Sequence, residues 1–458
     1  LKNHTERKIR CLFGTDGVRD VANRGMMIPE MAMRLGRAYA LYLTEKGIPR
    51  PRLVMGRDTR RSGQMLESAL IGGLTSSGAS VSNLGVAPTP EVSFAVRSSG
   101  FHGGVVISAS HNPAEYNGIK FLDSSGTKLS DEQEIAIEEY MEDSFIDDWR
   151  PTGASIGTYD SFEQMHELYL DRLWDFYSRD KGPHLSCVVD CANGAASVLI
   201  SDFAEKYDLP WKIIGNEPDG LNINDGFGVM DLGALKKQVI EQKADAGIAF
   251  DGDADRVLLV DPYGREIDGD IMMWMLSIWL KSRDSLGSGL TATVMSNMAL
   301  EDHLLNEGIP VHRCPVGDRY VYRTMIKKGS RLGGEQSGHL IIDGFSTTGD
   351  GPCTALLFLR ACMEMGFDIS TLVDKFHRYP QMLTNIFMSD RRNIAGDPDL
   401  NDLVTRAEAK LDGFGRVFIR PSGTEPLLRV LVEARDKELL ESVSHQLVQD
   451  IRQLYSIV

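Results

Sequence analysis

Three aspartates at every second position, in Asp251-Gly252-Asp253-Ala254-Asp255-Arg256, offer hard oxygen donors close enough together to serve one cation. Oxygen-only ligands favour Mg²⁺ over zinc. An EF-hand is excluded: counted from Asp251, Arg256 stands where that loop needs glycine and Pro262 where it needs glutamate. A surface Asp/Gly turn is the plain alternative, yet Arg256 directly after three acids fits better in a site, where it faces a phosphate that the metal also binds. Ser110, in Ser108-Ala109-Ser110-His111-Asn112-Pro113, is the candidate to carry that phosphate. No Gly-x-Ser-x-Gly elbow surrounds it, so acyl transfer is not expected. A phosphate ester on serine needs its charge neutralised while it forms and while it leaves, which a divalent ion touching the serine oxygen does. The two segments together point to phosphoryl transfer, against the alternative of a helix cap or turn with ordinary hydroxyl bonds.

Four further groups have the chemistry to join such a site. Lys120 follows the turn Asn117-Gly118 and either returns to the Ser110 region or stays solvated. Gly333-Gly334-Glu335-Gln336-Ser337-Gly338-His339 is a glycine-bracketed loop whose Glu335 and Ser337 suit sugar hydroxyls, while His339 is either a structural histidine or a proton carrier. Arg420-Pro421-Ser422-Gly423-Thr424-Glu425-Pro426 joins two strands and combines an arginine, two hydroxyls and a glycine, as a phosphate cradle requires; Arg429 lies in the next strand. Phe13-Gly14-Thr15-Asp16-Gly17-Val18-Arg19 places Arg19 after a turn-rich entry that leads toward the same region.

The elements that must position these residues alternate. A helical pattern over Glu30–Lys46 leads to Leu53-Val54-Met55, and Val105-Val106-Ile107 runs directly into the serine segment, which implies α/β layers. A charged, turn-rich stretch from Asp143 to Asp160 precedes a second unit, which starts at Cys187-Val188-Val189 and ends on Val257-Leu258-Leu259-Val260 after the carboxylate loop. Pro262-Tyr263-Gly264 is a turn and the expected seam to a third, helix-rich unit. Past Tyr379 come the strands Arg416–Ile419 and Leu427–Val432, then a helix with Leu440, Val443, Leu447, Ile451 and Leu454 on one face: a small α+β unit. Domains are accordingly expected at 1–158, 159–262, 263–378 and 379–458, a division that suits 458 residues.

Composition narrows the partners. With 65 acidic against 49 basic residues the formal charge is -16, which argues against nucleic acid or an anionic membrane and requires that basic residues be concentrated locally if the ligand is an anion. The longest apolar run, Ile271–Leu280, is far below a membrane span, and the polar segment Leu1–Arg10 lacks the apolar stretch of a secretion signal. Six scattered cysteines without metal spacing predict core thiols in a reducing cytoplasm.

In their order along the chain the five segments resemble the α-D-phosphohexomutase superfamily, whose members share a phosphoserine loop, an Asp-Gly-Asp-x-Asp-Arg metal loop, a Gly-Glu-x-Ser-Gly sugar loop and a C-terminal Ser-Gly-Thr phosphate loop. The similarity covers nearly the whole chain. It is greatest to the bacterial branch acting on glucosamine phosphates, through Phe13–Gly17, Asn117–Phe121, Pro218–Asn224, Val316–Val321, Thr347–Gly351 and Gln336. The resemblance implies four domains, three mixed α/β and one smaller α+β, around a central cleft. It implies Ser110 as phosphoryl carrier, with Asp251, Asp253, Asp255 and a Ser110 phosphate oxygen holding one Mg²⁺. Arg19, Lys120 and His339 are then the catalytic cluster, with Lys120 or His339 moving the proton. Arg256, Glu335, Ser337, Arg420, Ser422, Gly423, Thr424 and Arg429 bind a small sugar phosphate. A sugar 1,6-bisphosphate is the implied activator, and a homodimer is compatible. Mutases of the same superfamily acting on glucose or mannose phosphate, a serine-metal sugar phosphatase and a non-catalytic sensor are the competing readings.

Overall fold

The computed structural model describes residues 12–14, 16–143, 145–177, 184–388, 397–421 and 427–455. Each apolar run predicted as a strand is one. The first six strands, β1 (Val18–Val21), β2 (Arg52–Arg57), β3 (Ser80–Val86), β4 (Gly103–Ile107), β5 (Tyr116–Leu122) and β6 (Tyr159–Ser161), form one sheet in the order β1-β5-β4-β2-β3-β6. β2, β3, β4 and β6 are parallel neighbours, while β5 returns antiparallel to β4. β4 is buried at all five residues, as a strand covered on both faces must be. Helix Pro29–Glu45 packs into one core with Leu53, Met55, Val105 and Ile107, and helix Thr89–Ser99 into another with Val54 and Val106. β6 extends this sheet past residue 158, the expected limit of the first domain.

The second sheet has the order β11-β10-β9-β7-β8, from β7 (Cys187–Asp190), β8 (Trp211–Ile214), β9 (Ala246–Phe250), β10 (Val257–Val260) and β11 (Glu266–Ile267). β9 and β10 are an antiparallel pair in which Phe250 faces Val257, so residues 251–256, the carboxylate segment, are their connecting loop. β11 pairs with β10 beyond the turn at 262–264, so this sheet continues across the expected seam. The third sheet contains β12 (Leu290–Thr293), β13 (Val311–Cys314), β14 (Leu332–Gly334) and β15 (Leu340–Ile342), in the order β13-β12-β14-β15. Glu335–His339 joins its antiparallel β14 and β15.

Contacts divide the chain into two compact units, residues 1–293 with 312–373, and 294–311 with 374–458. The second contains an antiparallel sheet, β16-β18-β17, of β16 (Gln381–Phe387), β17 (Gly415–Pro421) and β18 (Leu427–Ala434), covered by helices Pro398–Leu411 and Lys437–Leu454. Leu440, Val443, Leu447 and Ile451 of the predicted helix face are buried against it. Residues 294–311, which lie inside the stretch 263–378 expected to be one domain, belong to this unit: Met298 N donates to Glu433 Oε1 at 2.8 Å, and Asn297 Nδ2 to Tyr379 O at 3.0 Å. Among the described residues no helix is long and apolar enough to cross a membrane.

The ends of two neighbouring parallel strands hold the serine segment. Ser108 follows β4 and Asp58 follows β2; Ser108 Oγ donates to Asp58 Oδ2 at 2.7 Å and accepts from Ser110 N at 2.8 Å. Arg60, wholly buried, bonds Asp58 Oδ2 through Nε (2.8 Å) and donates to the carbonyls of Ser110 (3.0 Å), Asn112 (2.8 Å), Tyr116 (3.0 Å) and Pro113. One guanidinium thereby ties down the backbone from Ser110 to Tyr116, and the φ of 53° at Ser110, unfavourable for a residue with a side chain, persists only when its surroundings impose it. Arg60→Met leaves Asp58 buried without its counter-ion, and equilibrium urea unfolding is expected to show a loss of about 3 kcal/mol or more. A loss below about 1 kcal/mol, the scale of one ordinary hydrogen bond, would mean that the segment holds its shape unaided.

Candidate active site

Ser110 Oγ donates to Asp251 Oδ2 at 2.6 Å, so the phosphoryl-carrier candidate and the carboxylate loop, 141 residues apart, are in direct contact. Gly252 makes that approach possible: a Cβ there would lie 2.5 Å from the Ser110 carbonyl oxygen and 2.8 Å from Ile223 Cδ1. Asn224 supports the same contact, its Nδ2 donating to the carbonyls of Ser110 (2.9 Å) and Asn112 (3.0 Å). Ser108, turned away to Asp58, is braced out of this role.

Asp251, Asp253 and Asp255 are buried and each brings an oxygen within 4.8 Å of the others. Asp253 Oδ2 accepts from Thr89 Oγ1 (2.7 Å) and Lys120 Nζ (2.8 Å), but Asp253 Oδ1 and Asp255 Oδ1 are buried with no hydrogen-bond donor. Buried acceptors are rarely left so. Burial, then repulsion from Asp255 and Asp253, pushes the Asp251 carboxyl well above the usual carboxylate range. A converging set of hard oxygens with two unfilled acceptors fits a divalent cation, and the triad can bind one. For Asp255, burial works toward a higher pKa, but Lys120, His339 and Lys128 outweigh it and hold the group at about 2.

Cations gather around the triad. Lys120, on β5, is buried rather than solvated, with Nζ 2.8 Å from Asp253, 2.9 Å from Asp16 and 3.7 Å from Asp255. Burial opposes its charge, yet Asp16, Asp253 and Asp255 prevail and raise its pKa, so Lys120 is held as an ammonium. Arg19 reaches Asn112 Oδ1 at 2.9 Å and Asp16 Oδ2 at 3.2 Å. Arg256 Nη1 lies 3.2 Å from His111 Nδ1, which is itself 3.3 Å from Ser110 Oγ. Burial, with Arg256 and Arg19 nearby, lowers the His111 pKa to about 4. His339 Nε2 lies 3.7 Å from Asp318 and 3.9 Å from Asp255, and neither of its buried ring nitrogens has a hydrogen-bond partner.

Glu335 sits in the same unit, with Oε1 accepting from Gly317 N at 2.9 Å and Oε2 receiving the exposed Ser337 Oγ at 3.3 Å. Gln336 is turned away, donating to Asp268 Oδ2 at 3.0 Å. In the second unit Arg420 and Arg429 stand directly opposite each other across β17 and β18. Like charges so placed are unfavourable unless an anion or acid joins them. Ser422, Gly423 and Thr424 lie outside the described residues, as does Thr15.

Sequence reasoning missed Asp16, Lys128, Asp318 and Thr89. Asp16 and Asp318 lie inside strings already conspicuous, Gly14–Arg19 and Val316–Val321, whereas nothing around Lys128 and Thr89 in the sequence marks them out. The five described cysteines are buried free thiols, as expected.

Sequence models of the phosphoglucomutase/phosphomannomutase family match consecutive parts of the chain: alpha/beta/alpha domain I at residues 10–146, domain II at 167–264, domain III at 268–379 and the C-terminal domain at 383–449. A phosphoglucosamine mutase of Oceanobacillus iheyensis is 44% identical over 445 residues, which is 96% of this chain and 98% of that protein. In fold, the chain matches a phosphoglucomutase/phosphomannomutase family protein of Burkholderia thailandensis with a TM-score of 0.82 at 23% identity, over 96% of this chain and 97% of that one. It also matches the Aspergillus fumigatus N-acetylphosphoglucosamine mutase, determined with GlcNAc-6P and magnesium, with a TM-score of 0.68 at 17% identity, over 97% and 96% of the two chains. A serine lodged against a carboxylate triad is thus set in a chain matched in all four parts, and the protein belongs to the phosphoglucomutase/phosphomannomutase family of phosphohexomutases.

Proposed function

We propose that this protein is a phosphoglucosamine mutase, interconverting glucosamine 6-phosphate and glucosamine 1-phosphate in the cytoplasm. The observation that carries the reading is the 2.6 Å contact of Ser110 Oγ with Asp251, and full-length kinship to phosphoglucosamine mutases supports the substrate.

Ser110 carries the phosphoryl group. The sugar's free hydroxyl attacks phosphorus, the bond from phosphorus to Ser110 Oγ breaks, and the hydroxyl proton leaves as the new ester forms. His339, whose ring nitrogens have no hydrogen-bond partner, takes that proton. Lys120, held as an ammonium, and Arg19 and Arg256 stabilise charge on the transferring group. The resulting glucosamine 1,6-bisphosphate reverses in place and returns its other phosphoryl group to Ser110, so one serine serves both ends. A trace of sugar 1,6-bisphosphate therefore primes the enzyme. Glu335 and Ser337 bind sugar hydroxyls in both orientations, and Arg420, Ser422, Gly423, Thr424 and Arg429 bind the phosphate that is not reacting. Asp251, Asp253 and Asp255 hold one Mg²⁺, which when bound supplies positive charge at the serine oxygen.

Turnover on glucosamine 6-phosphate with Mg²⁺ and catalytic bisphosphate is expected to exceed that on glucose or mannose 6-phosphate, and Ser110→Ala is expected to lower it at least about 1,000-fold, as removing a nucleophile does. Preference for a neutral hexose would assign a different mutase of the family, and release of inorganic phosphate a hydrolase. Binding of the cation has its own readout. At about a hundred times its Kd, Mg²⁺ adds about 2.7 kcal/mol to stability, so the thermal midpoint of the wild type rises. In Asp253→Asn, which loses an anionic ligand, that rise is expected to vanish; an equal rise in both would place the ion elsewhere.

A further inference from the structure

Lys128 belongs to none of the segments that carry the chemistry, yet its ammonium is the node where they meet. Nζ lies 2.6 Å from Asp16 Oδ1, in ion-pair contact with Asp318 Oδ2, and 3.8 Å from Asp255 Oδ2, with the side chain 9% exposed. Each of the two nearer carboxylates leads to a different nominated group. Asp16 continues through Oδ2 to Lys120 Nζ at 2.9 Å, and Asp318 stands 3.7 Å from His339 Nε2. Asp318 also opens the helix Asp318–Lys328 directly after Gly317, whose N–H holds Glu335 of the sugar loop.

The backbone around Lys128 is pinned, so the ammonium has a fixed origin. Residue 128 bridges back to Leu122 at the end of β5 across a turn in which Asp123 Oδ1 accepts from Ser125 N at 2.9 Å and Thr127 Oγ1 at 3.0 Å. Two residues later Ser130 and Gln133 form a reciprocal capping box on helix Asp131–Glu142. From that helix Glu134 pairs with Arg319 at 3.2 Å, and Asp131 joins it, a second link to helix Asp318–Lys328 beside that from Lys128. Stability alone is a weak reason for such an arrangement, because a buried ion pair is often replaced by apolar residues of equal volume at no loss. Geometry is a better one: a group must stand within about half an ångström of its productive position to act.

We infer that Lys128 is a positioning residue for phosphoryl transfer, its ammonium gripping Asp16 and Asp318 together so that Lys120 and His339 are presented to the same serine. The inference rests on the mutase reading given above. In Lys128→Met, kcat is expected to fall about 100-fold with KM within about threefold of wild type, the pattern of misplaced reacting groups rather than lost binding. A purely structural lysine would lower the thermal midpoint and leave kcat of the folded enzyme unchanged, and that result overturns the inference. Should the single variant fail to fold, Lys128→Met/Asp318→Asn removes one charge of each sign and is compared with Asp318→Asn alone. Loss of the Asp16 side of the grip makes the double variant at least about tenfold slower than Asp318→Asn alone; equal rates overturn the inference. Wild type run alongside separates the two claims. If it does not interconvert glucosamine phosphates the function itself fails, whereas an active wild type with an equally active Lys128→Met defeats only the role given to the lysine.

Discussion

A carboxylate removed from water must meet a cation or take a proton. Asp251, Asp253 and Asp255 are fully buried in a loop of six residues whose one cation is Arg256, at the loop's own end. The protein brings further answering charges from elsewhere: Lys120 from β5 and Lys128 from the turn after it. Asp16 and Asp318 in turn steady the two lysines. Asp251 is the exception, its carboxyl driven toward the protonated form and hydrogen-bonded by Ser110. A divalent ion and a serine phosphate would enter that balance as charges of opposite sign, which is a physical reason for the two to occupy one site.

The same requirement explains the supporting backbone. Loops from two sheets touch at Gly252, and the touching surfaces are carbonyl oxygens that need donors. Arg60 and Asn224 supply them from either side, each reaching the carbonyls of both Ser110 and Asn112. Ser110 can therefore hold a backbone conformation that an unsupported loop would abandon.

The features legible in the amino-acid sequence are those encoded by near neighbours. The three aspartates alternate along six residues, Ser110 follows a strand of buried type, and the last helix displays its apolar stripe openly. Strand runs such as Val105–Ile107 and Leu258–Val260 also announce the α/β layers. The partners of those residues are less legible. Lys120 looks the same in sequence whether solvated or buried, because its fate depends on Asp253, 133 residues away. Lys128 meets Asp318 across 190 positions, and Arg60 acts on carbonyls, which leave no mark on residue identity. Domain limits blur for a related reason: β6 and β11 are short edge strands added to sheets by pairing, and 294–311 joins its unit through polar contacts to Tyr379, Arg416, Glu433 and Arg435 that are distant in sequence.

That last segment also affects how the protein is made. The C-terminal unit is assembled from two stretches separated by residues 312–373, so its fold cannot be completed by contiguous chain as synthesis proceeds. Helix Met298–Asn306, with Ala299, Leu300 and Leu304 destined for the interior, leaves the ribosome well before Glu433 and Tyr379 are available to anchor it. At typical elongation rates of about 5–20 residues per second, the 82 residues that separate Asn297 from Tyr379 and the 135 that separate Met298 from Glu433 impose waits of several seconds or more. During that interval Asn297 Nδ2 and Met298 N lack the acceptors, the Tyr379 carbonyl and Glu433, that they meet in the folded unit, and water must serve in their place.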